Sequence, residues 1–120
     1  MNGDYIELAG PTTEAAVLET LVRLLEPAQV STGEANFPLL TLDARNILYV
    51  DVDPGRTWPT MLAIGNLDND DHARQATAKG IFHALECATD RPLRWTSDTG
   101  TDVITNTPTV GLLGVDQQSN

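Results

Sequence analysis

Two carboxylates stand two residues apart in the stretch LYVDVDPGRTWP, where an apolar run delivers Asp51 and Asp53 into a Pro-Gly turn. A pair so placed could hold a metal ion, exchange protons, or belong to a negative surface shown to a partner. A second acidic group, Asp68, Asp70 and Asp71 in NLDNDD, raises calcium. An EF-hand loop needs glycine at its sixth position and a bidentate glutamate at its twelfth, and counting from Asp68 those positions hold Ala73 and Lys79. These acids read instead as capping side chains on a solvated loop before a helix. His83 and Cys87 lie one helical turn apart, but no second cysteine or close histidine pair completes a tetrahedral zinc set. A cysteine late in a helix faces the negative end of the dipole, which opposes thiolate formation and disfavours a Cys87–His83 nucleophile pair. GLLGV near the C-terminus lacks the strand-then-helix context of a phosphate cradle.

The elements that would position these residues follow from periodicity and punctuation. Tyr5 to Ala9 reads as a short strand closed by Gly10-Pro11. Thr12 or Thr13 then caps a helix with Glu14 in its first turn, an apolar face of Ala15, Leu18, Leu21, Val22 and Leu25, and a stop at Pro27. Pro27 to Asn36 is loose. Phe37 to Asp43 and Asn46 to Val52 are strand-rich runs joined at Ala44-Arg45, the length of a hairpin connection. In the second run Leu48, Val50 and Val52 form a core face, while Ile47, Tyr49, Asp51 and Asp53 point the other way. A turn at Asp53-Pro54-Gly55 leads past Trp58 to a strand from Thr60 to Ile64, and three strands so linked predict an antiparallel meander.

Asp68 to Thr89 is the second helix, capped by Asn69, Asp70 or Asp71. Its predicted stripe is Ala73, Thr77, Gly80, Ile81, Ala84, Leu85 and Ala88, small enough to lie close to a sheet, with His72, Gln75, Lys79, His83 and Glu86 on the polar side. Leu93 to Thr96 reads as a strand with Leu93 and Trp95 on one face, Trp95 belonging to the core. Val103-Ile104 and Val110 to Val115 add candidate edge strands in a tail that is otherwise irregular from about residue 105. The order β-α-β-β-β-α-β predicts one α+β domain over residues 1–120, a mostly antiparallel sheet of about five strands with two helices on one face.

Composition bounds the partners. Seventeen acidic against seven basic residues give a net charge of −10 and a pI near 4.3. Such a chain repels phosphate, so nucleic acid and anionic membranes are excluded as partners in favour of a basic protein surface. At 120 residues and 41% apolar content it can bury a core without staples, and no apolar run reaches the ~20 residues of a membrane span. One cysteine and an N-terminus without basic or apolar leader regions predict a cytoplasmic location.

Two resemblances bear on function. YVDVD resembles the first motif of the haloacid-dehalogenase phosphotransferases, in which a strand delivers an aspartyl nucleophile and a second acid. That family places Thr or Val two positions after the second acid, where this chain has Gly55. The chain is also short for that family's alternating core and lacks its phosphate-binding lysine on a later strand. The stretch HARQATAKGIFHALECATDRPLRWTSD resembles the C-terminal part of a family of immunity proteins from bacterial polymorphic-toxin systems, carried by Phe82, Arg91, Pro92 and Trp95 over about a quarter of the chain. The Gly-x-Leu-x-Tyr strand of that family is not found in the middle.

The second resemblance implies a non-enzymatic protein that binds a cognate toxin, often a basic nuclease, and blocks its substrate site with acidic residues. Asp43, Asp51, Asp53, Asp68, Asp70 and Asp71 would then form the acidic surface and Trp58 its aromatic anchor, with no catalytic residue, metal or cofactor. The charge argument reaches the same class of partner independently. A phage-encoded antagonist of a host nucleic-acid-binding enzyme has the same sequence properties, and a small metal-dependent enzyme or ligand-binding domain built on Asp51 and Asp53 is the alternative of a different class. Oligomeric state is not specified by the sequence.

Overall fold

In the computed structural model, which describes residues 3–97 and 103–106, the elements follow as β1 (Asp4–Leu8), α1 (Glu14–Leu25), β2 (Gln29–Thr32), β3 (Pro38–Thr41), β4 (Asn46–Val52), β5 (Thr60–Asn66), α2 (Asp71–Ala88), β6 (Leu93–Ser97) and β7 (Val103–Asn106). The strands form one sheet of order β2-β3-β4-β5-β1-β6-β7, and every neighbouring pair is antiparallel. The α+β class, the meander β3-β4-β5 and both helices are as predicted. The strand β2 corrects the reading of Pro27 to Asn36 as loose: it is a short polar edge strand without apolar alternation, held by its ladder to β3. The strand β7 continues to Asn106, and the strand predicted over Val110 to Val115 lies outside the described residues.

Strand directions explain where the helices go. Because β1 pairs antiparallel with both β5 and β6, those two strands run parallel to each other, and a parallel pair needs a crossover. The helix α2 makes it. By the same alternation β1 and β2 run parallel, and α1 carries the chain between them across the sheet. Both helices cover one face, where Ile6, Leu40, Leu48, Val50, Leu62, Ile64 and Leu93 of the strands meet Leu21 of α1 and Ala78, Ile81, Phe82 and Leu85 of α2.

Local signals set the helix ends. The Thr13 side chain accepts from the Ala16 N–H at 3.2 Å, and Glu26, left-handed at φ 47°, ends α1 by donating its N–H to the Val22 carbonyl. The Asp70 carboxylate caps α2 by accepting from the Ala73 N–H at 3.1 Å. The buried faces differ from the predicted stripes. In α1, Val17, Leu18, Leu24 and Leu25 flank buried Leu21, while Ala15 is exposed and Val22 is 41% exposed. In α2 the inward face is Arg74, Ala78, Ile81, Phe82 and Leu85, and Gly80 faces solvent with nothing within 4 Å of where a Cβ would stand. The predicted α2 stripe holds at Ile81 and Leu85 but omits the buried Arg74, Ala78 and Phe82 and includes Gly80 and Ala88, which are exposed.

Arg74 turns inward because a carboxylate waits there. Asp4, 0% exposed at the start of the interior strand β1, accepts from Arg74 Nε at 2.5 Å, and Arg74 is itself 1% exposed. The Trp95 indole N–H donates to the other Asp4 oxygen at 2.7 Å, the Ser97 hydroxyl donates to Asp4 Oδ1 at 3.3 Å, and Asp71 receives Arg74 Nη1 at 2.6 Å. Burial disfavours the Arg74 cation, but hydrogen bonds to Asp4 and Asp71 and the attraction of both carboxylates outweigh it and raise its pKa. Phe82 lies 5.9 Å from the Trp95 ring, which packs on the core as predicted.

Two stability measurements check this account by urea denaturation. Asp4→Asn strands a buried cation and costs about 3–5 kcal/mol, and a double-mutant cycle with Arg74→Met gives a coupling of about 1–3 kcal/mol, whereas additive effects would refute the pairing. Gly80→Ala, on an exposed helix position with open space, raises stability by about 0.5–1 kcal/mol.

Candidate functional site

The seven residues expected to meet a partner fall into two groups at opposite ends of β4, about 20 Å apart at ~3.3 Å per residue. Asp43, Asp68, Asp70 and Asp71 gather at the end where β4 begins and β5 gives way to α2. Asp51, Asp53 and Trp58 gather at the other, around the β4–β5 loop.

The first group is built on two buried asparagines. Asp43 closes the β3–β4 turn: its Oδ1 accepts from the backbone N–H groups of Arg45 and Asn46, each at 2.8 Å, and Asn46 Nδ2 donates to both of its oxygens. The Asn46 side chain, then the two backbone donors, hold the Asp43 carboxyl below its ordinary 3.8. Asn66 Nδ2 donates to Asn46 Oδ1 at 3.0 Å, and Asn66 Oδ1 accepts from the Asp68 and Asp70 N–H groups. Asp68 pairs with Arg45, Asp70 caps α2, and Asp71 pairs with Arg74. Each of these acids therefore has a local structural task, and Leu67 stands exposed among them.

At the other end Arg56 organises the loop. Its Nη1 donates to Asp51 Oδ2, and its Nη2 to the carbonyls of Asp51 and Pro59, all at 3.0 Å. The Asp53 carboxylate accepts from the Gly55 N–H at 3.0 Å, and its backbone N–H donates to Pro59. This arrangement delivers Trp58 onto the guanidinium of Arg94, 4.4 Å from the ring centroid, and Arg94 in turn pairs with Glu7 through two hydrogen bonds of 3.0 and 2.8 Å.

Asp51 and Arg94 belong to the sheet face opposite the helices. The registers place Asp51, Met61, Glu7 and Arg94 in one row across β4, β5, β1 and β6, and Leu39, Tyr49, Ala63, Tyr5 and Thr96 in the next across β3 to β6. All of these side chains are half-buried, and neither helix packs on them. The turn after β2 reaches the face at Gly33, whose position leaves no room for a Cβ against the Tyr49 ring. The alternation of β4 foretold Tyr49 and Asp51 here. Tyr5, Glu7, Met61 and Arg94 were missed because only strand register brings them alongside.

No catalytic geometry assembles around the other candidates. His83 Nδ1 meets Glu86 at 2.7 Å on the exposed side of α2, and Cys87 is exposed beyond it. Among the described residues no three His, Cys, Asp or Glu side chains are grouped so as to hold a metal ion. No family model, curated protein or solved structure matches this chain.

A pH titration tests the role of Asp43. With its folded pKa below 3.8, the carboxylate contributes stability above that value and loses it as pH falls through the folded pKa. Asp43→Asn therefore lowers stability at pH 7 by up to about 1 kcal/mol, the exposed charge being screened, and the deficit disappears in acid. A deficit independent of pH would show that the charge is not what the turn uses.

Proposed function

We propose that this protein is a non-enzymatic immunity protein, acting in the bacterial cytoplasm, that neutralises a basic toxin domain by binding it directly. The observation that carries the reading is the helix-free sheet face. It offers tyrosine and aliphatic side chains in the middle and keeps Asp51, Asp53 and Trp58 at its rim, in a chain whose net charge is −10. Aromatic side chains flanked by acids suit a positively charged partner: the rings supply contact area at little entropic cost, and the charge steers the encounter.

The separation of the acidic residues is compatible with one footprint. A standard interface covers roughly 800 Å² of each protein, a patch wider than the ~20 Å length of β4, so a partner lying along that strand reaches both acidic ends. The proposed contacts are Asp51, Asp53 and Trp58 at one end, Asp43, Asp68, Asp70 and Asp71 at the other, and Tyr5 and Tyr49 between. Asp51 is already clamped by Arg56, and Trp58 is already held by Arg94, so both meet the partner in a preformed geometry. No described helix is long and apolar enough to cross a membrane.

The toxin encoded by the neighbouring gene is the partner to test, by protection of cells expressing it and by binding kinetics. Asp53→Lys slows association about tenfold at low salt, with the difference shrinking as salt rises, while Trp58→Ala speeds dissociation. If the Asp53→Lys, Trp58→Ala double variant binds and protects as the parent protein does, this face is not the interface, and if the parent protein neither binds nor protects, the reading fails.

A further inference from the structure

A cleft of about 220 Å³ lies on the other side of the molecule, between α1 and the C-terminal part of α2. Its deepest walls are the buried side chains Leu21, Leu62, Leu85 and Thr60. Its rim carries Thr20 and Arg23 of α1 and, from the segment after α2, Thr89 and Arg91. The lining contains two arginines and no carboxylate, although acids outnumber bases 17 to 7 in the chain. The sign of charge in the cleft is therefore the reverse of the molecule's.

Arg91 is held in place before any ligand arrives. Its Nη1 donates to the Pro11 carbonyl at 2.7 Å and lies against Gly10, which at φ 95° makes a turn that other residues rarely adopt. One edge of the guanidinium is thus fixed to the β1–α1 connection, with further N–H donors on the same planar group. The first turn of α1 adds no spare donor there, since the Ala16 N–H donates to Thr13 Oγ1 and the Val17 N–H to the Thr13 carbonyl. The guanidiniums of Arg23 and Arg91 are therefore the charged donors of the lining.

We infer that this cleft binds a small organic carboxylate with an apolar body. The leucine floor takes the body, Arg23 and Arg91 take the carboxylate as charge-assisted donors, and the Thr89 hydroxyl, whose oxygen accepts from the Arg91 N–H, adds a neutral hydrogen bond. An apolar cavity of about 150 Å³ holds benzene, so the volume suits a ring or short chain of that size with one carboxylate attached. The inference does not depend on the proposed toxin interface, none of whose residues lines the cleft.

Benzoate and hexanoate are the probes, benzyl alcohol the neutral control and inorganic phosphate the test for a bare anion, followed by amide chemical shifts and thermal unfolding of the full chain. Benzoate is expected to saturate at millimolar concentration, to shift the resonances of Ala16, Thr20, Ala88 and Thr89, and to raise Tm. Benzyl alcohol and phosphate each bind at least about tenfold more weakly. Arg23→Gln, on an exposed helix surface, weakens benzoate about tenfold without unfolding the protein, and Arg91→Lys keeps more affinity than Arg91→Gln. Equal binding of benzyl alcohol and benzoate overturns the assignment, as does phosphate binding as tightly as benzoate. It is equally overturned by failure of benzoate to saturate, or by undiminished affinity in the folded Arg23→Gln variant.

Discussion

Two opposite charges removed from water hold this molecule in register. Asp4 and Arg74 are 70 positions apart in sequence, both essentially unexposed, and joined through Arg74 Nε. Neither charge is tolerable alone in that environment, since an unpaired buried ion costs several kcal/mol. Their pairing therefore ties the interior strand β1 to the first turn of α2. The same carboxylate accepts from Trp95 and Ser97, so β6 is tied to it as well. One buried Arg74 nitrogen, Nη2, is left without a hydrogen bond among the described residues. Removing either partner leaves the other charge buried and unpaired, so the pair disfavours arrangements that separate β1 from α2.

The rest of the architecture follows from where β1 sits. Placed between β5 and β6, it makes its two neighbours parallel and obliges α2 to cross over it. With β2 at the far edge, α1 must also cross, and both helices bury the same face of the sheet. The other face is left with half-buried tyrosines, aliphatic residues and ion pairs. Among the described residues the helices cover one side of the sheet, which separates the other side from the cleft between the helices.

Charge is used at two levels. Locally, most of the acids are occupied: Asp43 shapes a turn, Asp70 caps a helix, Asp51 and Glu7 pair with Arg56 and Arg94. Such pairs on the surface are worth little in stability but fix side-chain positions. Globally the excess of ten negative charges remains, and its field acts at the range of an approaching partner even where individual carboxylates already have hydrogen bonds. The two arginines of the cleft stand out against that field.

Local physics was legible in the chain. The alternation of Leu48, Val50 and Val52 against Tyr49 and Asp51 assigned the faces of β4, and the helix ends were narrowed to Thr12 or Thr13, to Asn69, Asp70 or Asp71, and to Pro27, with Thr13 and Asp70 the caps in the structure, because these signals depend on neighbours within a few residues. The α+β class followed from the order of elements. What the sequence did not disclose was set by distant pairing. The polar strand β2 exists because β3 offers it a ladder, and Arg74 is buried because Asp4 lies beneath it. The acids expected on one surface divide between the two ends of β4, since strand length rather than sequence proximity sets their distance. Periodicity determines which way a side chain points; only the sheet order, fixed by long-range pairing and one buried ion pair, decides what it meets there.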